Sequence, residues 1–245
     1  MIDSAARRRA GLVLLATLVG TAATARLGIW QLDRAAQKVA IQGRIEARRT
    51  LPVLGNAELA RTGPSAAEQV ERRAALRGRW LADRTVFLDN RQMGGKPGFY
   101  VVTPLRLDGS PDAVLVQRGW AARNFADRTA LPQVTTPAGV VTVQGVIAPP
   151  PARLYEFDGA ASGPIRQNLD LDAYARELST PLLPLSVMQS DEPGGVSDGL
   201  RRDWPMPALD VQKHYGYAFQ WFALAALMAG LYVWFQLIRP GRRNG

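Results

Sequence analysis

Residues 211–240 read VQKHYGYAFQWFALAALMAGLYVWFQLIRP, and this stretch decides the fold class. From Tyr215 to Ile238 no side chain carries a formal charge, and only Gln220, Gln236 and tyrosine hydroxyls interrupt the apolar chemistry. At about 1.5 Å per residue in a helix, the run outlasts the roughly 30 Å hydrocarbon core of a bilayer. A core helix of this length in a soluble protein carries a polar face, and this one has none. Trp221, Tyr232 and Trp234 supply interfacial aromatics, and Arg239, Arg242 and Arg243 follow at once. The run reads as a transmembrane helix.

A second apolar stretch, GLVLLATLVGTAATARLGIW, covers Gly11 to Trp30 behind Arg7, Arg8 and Arg9. Arg26 near its far end is placed to snorkel to the interface beside Trp30. Two readings stand side by side. It is a retained helix, or it is a secretory signal with Ala23-Thr24-Ala25 as the small-residue cleavage site. Spacing favours retention: Ala16, Gly20, Thr24 and Gly28 recur every four residues, a ridge on which another helix can pack closely. Ala218, Ala226 and Gly230 form a matching ridge on the C-terminal run, broken by Phe222. Arginines flank the outer end of both runs, so the positive-inside rule places both termini in the cytoplasm and everything between on the other side.

Composition narrows the chemistry. The net charge of +9 invites nucleic acid as a partner, but only Lys38, Lys96 and Lys213 are lysines and the arginines are scattered, several flanking the membrane runs. The expectation is therefore a lipid bilayer and no nucleic acid. The absence of cysteine removes disulfides, thiolate metal sites and thiol catalysis together. A single histidine, His214, removes histidine-rich zinc sites.

Between the runs, QLDRAAQKVAIQGRIEARR continues helical and ends before Pro52. The period then changes to two: AALRGRWL, TVFLDNRQ, GFYVVTPLRL, AVLVQRGW and GVVTVQGVIAPP are short, β-branched and separated by turns, with MGGKPG and LDGSPDA as hairpin connections. They predict a mostly antiparallel sheet or small barrel. LDLDAYAREL predicts a helix capped near Asp170, followed by a strand in LPLSVMQS. Asp89, Asn90 and Arg91, or Asp170 with Asp172, are better explained as turn and cap residues than as acid–base groups, and nothing argues for an enzyme. The fold class expected is a membrane protein of α+β type: a tail at 1–10, a transmembrane helix at 11–30, an external domain at 31–213, a second helix at 214–238 and a tail at 239–245.

His214, Tyr217, Ala218, Trp221, Phe222 and Ala225 fall at helical spacing along one side of the last helix. A neutral imidazole above aromatic and small residues suits an axial nitrogen for haem iron with room for the macrocycle. The plainer alternative is a histidine that simply hydrogen-bonds at an interface where Trp and Tyr are enriched in any case.

HYGYAFQWFALAA resembles the H-x-x-Y-A-x-x-W-F signature of the surfeit locus protein 1 family, and LGIWQLDRAAQK resembles its L-G-x-W-Q-x-x-R-x-x-W-K stretch. GFYVVTPLRL, VLVQRGWAARN and VQGVIAPP are similar to family segments in order and spacing. The resemblance implies a non-enzymatic assembly factor for cytochrome c oxidase, retained in the bacterial inner membrane with its large domain periplasmic. It implies haem a as transient cargo, with cytochrome c oxidase subunit I and the haem a biosynthesis enzyme as partners. His214 would be the axial ligand to haem iron. Tyr217, Trp221 and Phe222 would flank the macrocycle, Trp30 and Arg34 would close the site, and Arg34 or Lys213 would meet propionates. Arg118, Gly119 and Trp120 match the family's R-G-[WF] segment. The second tryptophan of the first-helix motif is Gln37 here, so no ligand role carries over to it. The alternative function is a haem-independent chaperone for immature subunit I.

Overall fold

The computed structural model describes residues 4–124, 126–127, 130–155, 162–191, 197–204 and 210–239. It divides into two compact units, one built from residues 1–44 and 207–245, the other from Ile45–Met206.

The first unit holds two helices. α1 runs without a break over Ser4–Thr50, and α4 covers Val211–Tyr232 before its last turns widen to a π-helix over Val233–Ile238. Both are long and apolar enough to cross a membrane, and almost none of either apolar run is buried by the protein itself. A core helix of a soluble domain would be covered. Leu12, Leu18, Phe219, Leu227 and Leu237 stand bare instead, which is stable only against lipid.

The residues withdrawn from solvent trace one seam. On α1 they include Thr17, Thr21, Thr24, Gly28, Gln31, Ala35 and Lys38; on α4, Val211, His214, Ala218, Trp221, Ala225, Met228 and Tyr232. Steps alternate three and four residues, the 3.5-residue period of a left-handed helix pair. The four-residue ridges expected from sequence are therefore correct only in part. Gly20, Thr24 and Gly28 lie in the seam, whereas Ala16, Ala226 and Gly230 are exposed. A strict four-residue row drifts around a helix and leaves a partner after about two turns. Phe222, which breaks the ridge on paper, is what fills it: its ring edge lies against Gly28, and Met228 sulfur sits above Gly20.

The second unit is a closed barrel. Strands β1 (Arg73–Trp80), β2 (Val86–Met93), β3 (Lys96–Leu107), β4 (Ala113–Ala122), β5 (Val140–Ala148), β6 (Ile165–Arg166) and β7 (Leu182–Gln189) lie in the order β1-β5-β7-β4-β3-β2-β6, and β1 also pairs with β3. That extra pairing closes a five-strand ring, β1-β5-β7-β4-β3. Closure is made by the twelve-residue β3, whose first half pairs with β2 and whose end, Leu105–Leu107, pairs with Gly78–Trp80 of β1. Closing the ring removes sheet edges that would otherwise recruit foreign strands. Leu76, Leu105, Val114, Val116, Ile147, Leu185 and Val187 form its core, joined by Leu54, Leu59 and Ala66 from the segment and short helix α2 (Gly63–Gln69) ahead of β1.

Each strand expected from the two-residue period is present, and so is the helix in LDLDAYAREL: α3, Leu171–Leu178, with the Asp170 carboxylate accepting from Ala173 N–H. Beyond β7, Arg201 pairs with Trp120 of β4.

α3 places Tyr174 under the sheet, where its hydroxyl donates to the Arg84 carbonyl and its ring lies 5.1 Å from the Arg166 guanidinium. Burial raises its pKa to about 12. The unfolded chain ionises this phenol near pH 10, the folded chain only near 12, so the unit is fully stable below pH 10 and loses stability as pH climbs between them. Two pKa units correspond to about 2–3 kcal/mol of lost stability by pH 12. Denaturation midpoints measured from pH 9 to 11.5 will fall in the native chain and fall less steeply in Tyr174→Phe. An identical slope in both would remove this residue as the cause.

Candidate functional site

The seam of the helix pair carries little polar chemistry, so its polar layer stands out. His214 sits in the first turn of α4, near the polar end of the apolar run, and its Nδ1 lies 2.7 Å from Oε1 of Gln31 on α1. Both side chains are half-buried. An amide oxygen can only accept, so Nδ1 donates this hydrogen bond, and in a neutral ring the lone pair is then on Nε2. Among the described residues Nε2 has no hydrogen-bond partner.

Around this layer the expected site residues divide in two. Trp221 lies in the seam one helical repeat below His214, beside buried Ala218 and Ala225. Tyr217 flanks the seam and is 53% exposed; Phe222 is 37% exposed, with its ring edge packed against Gly28 of α1. On α1, Trp30 is exposed, with the Arg34 guanidinium 5.6 Å from its ring centre. Arg34 also donates to the Gln37 side-chain oxygen at 3.2 Å, so the position that departs from the family motif holds this arginine instead of offering an aromatic. Lys213 is exposed and pairs with Asp210 at 2.6 Å. The Lys213 hydrogen bond and charge, with Lys38 nearby, hold the Asp210 carboxyl below its usual range. This carboxylate, which no sequence pattern singles out, offsets the cation expected to meet a propionate.

The set can therefore do one thing chemically. It presents one imidazole, flanked by the exposed Tyr217 and Trp30, with Arg34 and Lys213 at the polar boundary. Among the described residues no group of three or more His, Cys, Asp or Glu is placed to hold a metal ion.

Arg118, Gly119 and Trp120 have a different task. Arg118 of β4 is 2% exposed; it donates to Thr136 Oγ1 at 2.6 Å and the Thr135 carbonyl at 2.7 Å, and pairs with Asp198 at 3.3 Å. Asp198 also takes Arg202 at 2.5 Å, and the Trp80 ring lies 4.9 Å from the Arg118 guanidinium. Burial pulls the Arg118 pKa down and Asp198 pushes it back. At Gly119 any Cβ would meet Leu200 Cβ at 2.7 Å and the Arg201 carbonyl at 2.9 Å. The missing side chain is what lets Arg201 pair with Trp120, whose indole donates to the Arg91 carbonyl at 3.0 Å. The three residues latch the segment after β7 onto the barrel. A cleft of about 560 Å³ borders the latch, but both arginines that line it are matched by Asp191 and Asp198.

Sequence patterning reached His214 and its aromatic neighbours but assigned Gln31 no part in the site. The signal was a polar side chain on the seam-facing stripe of α1, visible once the 3.5-residue period is used.

Comparison with known proteins agrees with this architecture. The SURF1 family model matches residues 18–226, from the first helix through most of the last. A SURF1-like protein of Rickettsia bellii is 24% identical over 84% of this chain and 83% of its own length. One of Dictyostelium discoideum is 25% identical over 69% of the chain and 72% of its own, and one of Rickettsia felis is 24% identical over 84% and 89%. Two apolar helices bracketing a β domain, matched along 209 consecutive positions (18–226), place the chain in one family: it belongs to the SURF1 family.

Proposed function

We propose that this chain is an assembly factor for cytochrome c oxidase, the role for which its family is known in general, and that it carries haem a transiently toward subunit I. The reading places it in the bacterial inner membrane with both arginine-flanked termini cytoplasmic and the barrel periplasmic. One observation carries the cargo assignment: the sole imidazole is held at the polar end of the apolar seam by Gln31 through Nδ1, with Nε2 unpartnered among the described residues. Nε2 binds iron. Tyr217 covers the macrocycle from its exposed position, Phe222 borders it from beside Gly28, Trp221 backs them from the seam, and Trp30 closes the α1 side. Arg34 and Lys213 bind propionates at the polar boundary, Lys213 by exchanging Asp210 for a haem carboxylate. A single protein ligand and a lipid-exposed ring face give weak, exchangeable binding, which a transfer protein requires. The haem a biosynthesis enzyme is then the donor and subunit I the acceptor.

The test is co-expression with haem a biosynthesis and an absorption spectrum of the purified chain. The native protein will carry a Soret band, and His214→Ala will lose it while remaining in the membrane. A haem-independent chaperone of immature subunit I predicts the reverse: no haem spectrum in either, and undiminished co-purification of oxidase subunits with His214→Ala.

A further inference from the structure

We infer that Gln31 is a positioning residue that fixes the His214 tautomer, keeping the proton on Nδ1 and the lone pair on Nε2. The inference rests on the cargo reading for its purpose but not for its geometry. Free neutral imidazole favours the proton on Nε2, the form in which that nitrogen is unable to bind a metal. An amide oxygen 2.7 Å from Nδ1 reverses the preference, because only the Nδ1–H form makes that hydrogen bond. Ligation then needs neither proton loss nor a ring flip, and the ring plane is held by a residue of the neighbouring helix.

The environment makes this bond specific. The next seam residues on either side of Gln31 are Gly28 and Ala35, and those beside His214 are Val211 and Ala218, so no other polar side chain of the seam competes in this layer. The nearest charged pair, Lys213 with Asp210, is exposed and satisfied within itself. Such a bond orients the ring, as outer-shell partners of metal-bound histidines do. It also makes haem retention depend on α1 and α4 staying paired, since the acceptor comes from one helix and the ligand from the other.

The chain suits a direct measurement, because it has one histidine in all. With ¹⁵N-labelled histidine, the haem-free protein at mildly alkaline pH will give one imidazole whose Nδ1 is pyrrole-type and Nε2 pyridine-type. Gln31→Leu will move the proton to Nε2, and Gln31→Glu, which still accepts, will keep it on Nδ1. Haem a retained after co-expression will fall about 10–100-fold in Gln31→Leu and recover in Gln31→Glu. A native protein with its proton on Nε2, or Gln31→Leu with an unchanged tautomer, overturns the inference whatever the haem result. An Nδ1–H tautomer that depends on Gln31, in a chain whose haem content ignores His214→Ala, overturns the cargo reading and leaves the bond a structural one.

Discussion

Arg118→Met will destabilise the barrel by about 3 kcal/mol, a large part of the ~5–15 kcal/mol that holds a domain folded. The guanidinium is 2% exposed and spends its donors on Thr136, the Thr135 carbonyl and Asp198. Methionine fills the volume but leaves a carbonyl and a hydroxyl without their donor, and removes one of the two cations that neutralise Asp198. Arg202 remains to pair that carboxylate, which keeps the loss at the lower end of what breaking a buried ion pair costs. Arg118→Lys will not rescue, since one ammonium cannot reach three acceptors in the planar fork that arginine presents. Arg77→Met is the control: its pair with Asp108 is half or more exposed on both sides, and such pairs contribute about 0–1 kcal/mol. Urea denaturation of the full chain in detergent, with hydrogen exchange along β4 and β5, measures the difference. A midpoint for Arg118→Met no lower than that for Arg77→Met would show the latch to be dispensable.

That prediction concerns residues whose motif suggested a functional segment and whose geometry is structural, which shows where sequence reading runs out. The strands, the Asp170 cap and the two apolar helices were legible because their signals are local: a two-residue period, a capping carboxylate three residues from the N–H it accepts, an unbroken apolar run. β6 was not, because two residues carry no period. Closure of the barrel was not either, because it depends on β3 changing partners midway and on β7 entering parallel to β4. The Arg118 cluster joins positions 80 residues apart, and the His214–Gln31 bond joins positions 183 apart. No local signal shows that the members of either pair meet. What sequence did carry for the site was a helical stripe on α4 that holds the seam positions His214, Ala218, Trp221 and Ala225 together with Tyr217 and Phe222 beside them; only the small-residue packing ridges were taken as four-residue rows in place of the 3.5-residue seam.

The same period error defines the second large effect: Gly28→Leu will open the helix pair and release His214. A single Cβ at Gly28 would already stand 2.8 Å from the Phe222 ring, and leucine adds three carbons beyond it. Overpacking of this kind costs about 1–3 kcal/mol, and in a bilayer no hydrophobic term between the helices offsets it, because lipid is as apolar as leucine. Phe222 must swing out or the helices must part; since Gln31 lies three residues from Gly28, parting lengthens the 2.7 Å bond that orders the imidazole. Gly230→Leu is the matched control, on α4 with nothing within 4 Å of its added carbon. The chain has no cysteine, so spin labels can be placed at Ile29→Cys and Phe219→Cys, two exposed sites on opposite helices, without background. Their distance distribution will lengthen and broaden in Gly28→Leu and stay unchanged in Gly230→Leu, and the histidine ¹⁵N signal will lose its Nδ1–H form only in the first. If the labels keep their distance while the tautomer is lost, Phe222 moved and the helices did not, and the seam transmits strain through that ring. If both readings stay native, the close approach at Gly28 has no part in holding His214.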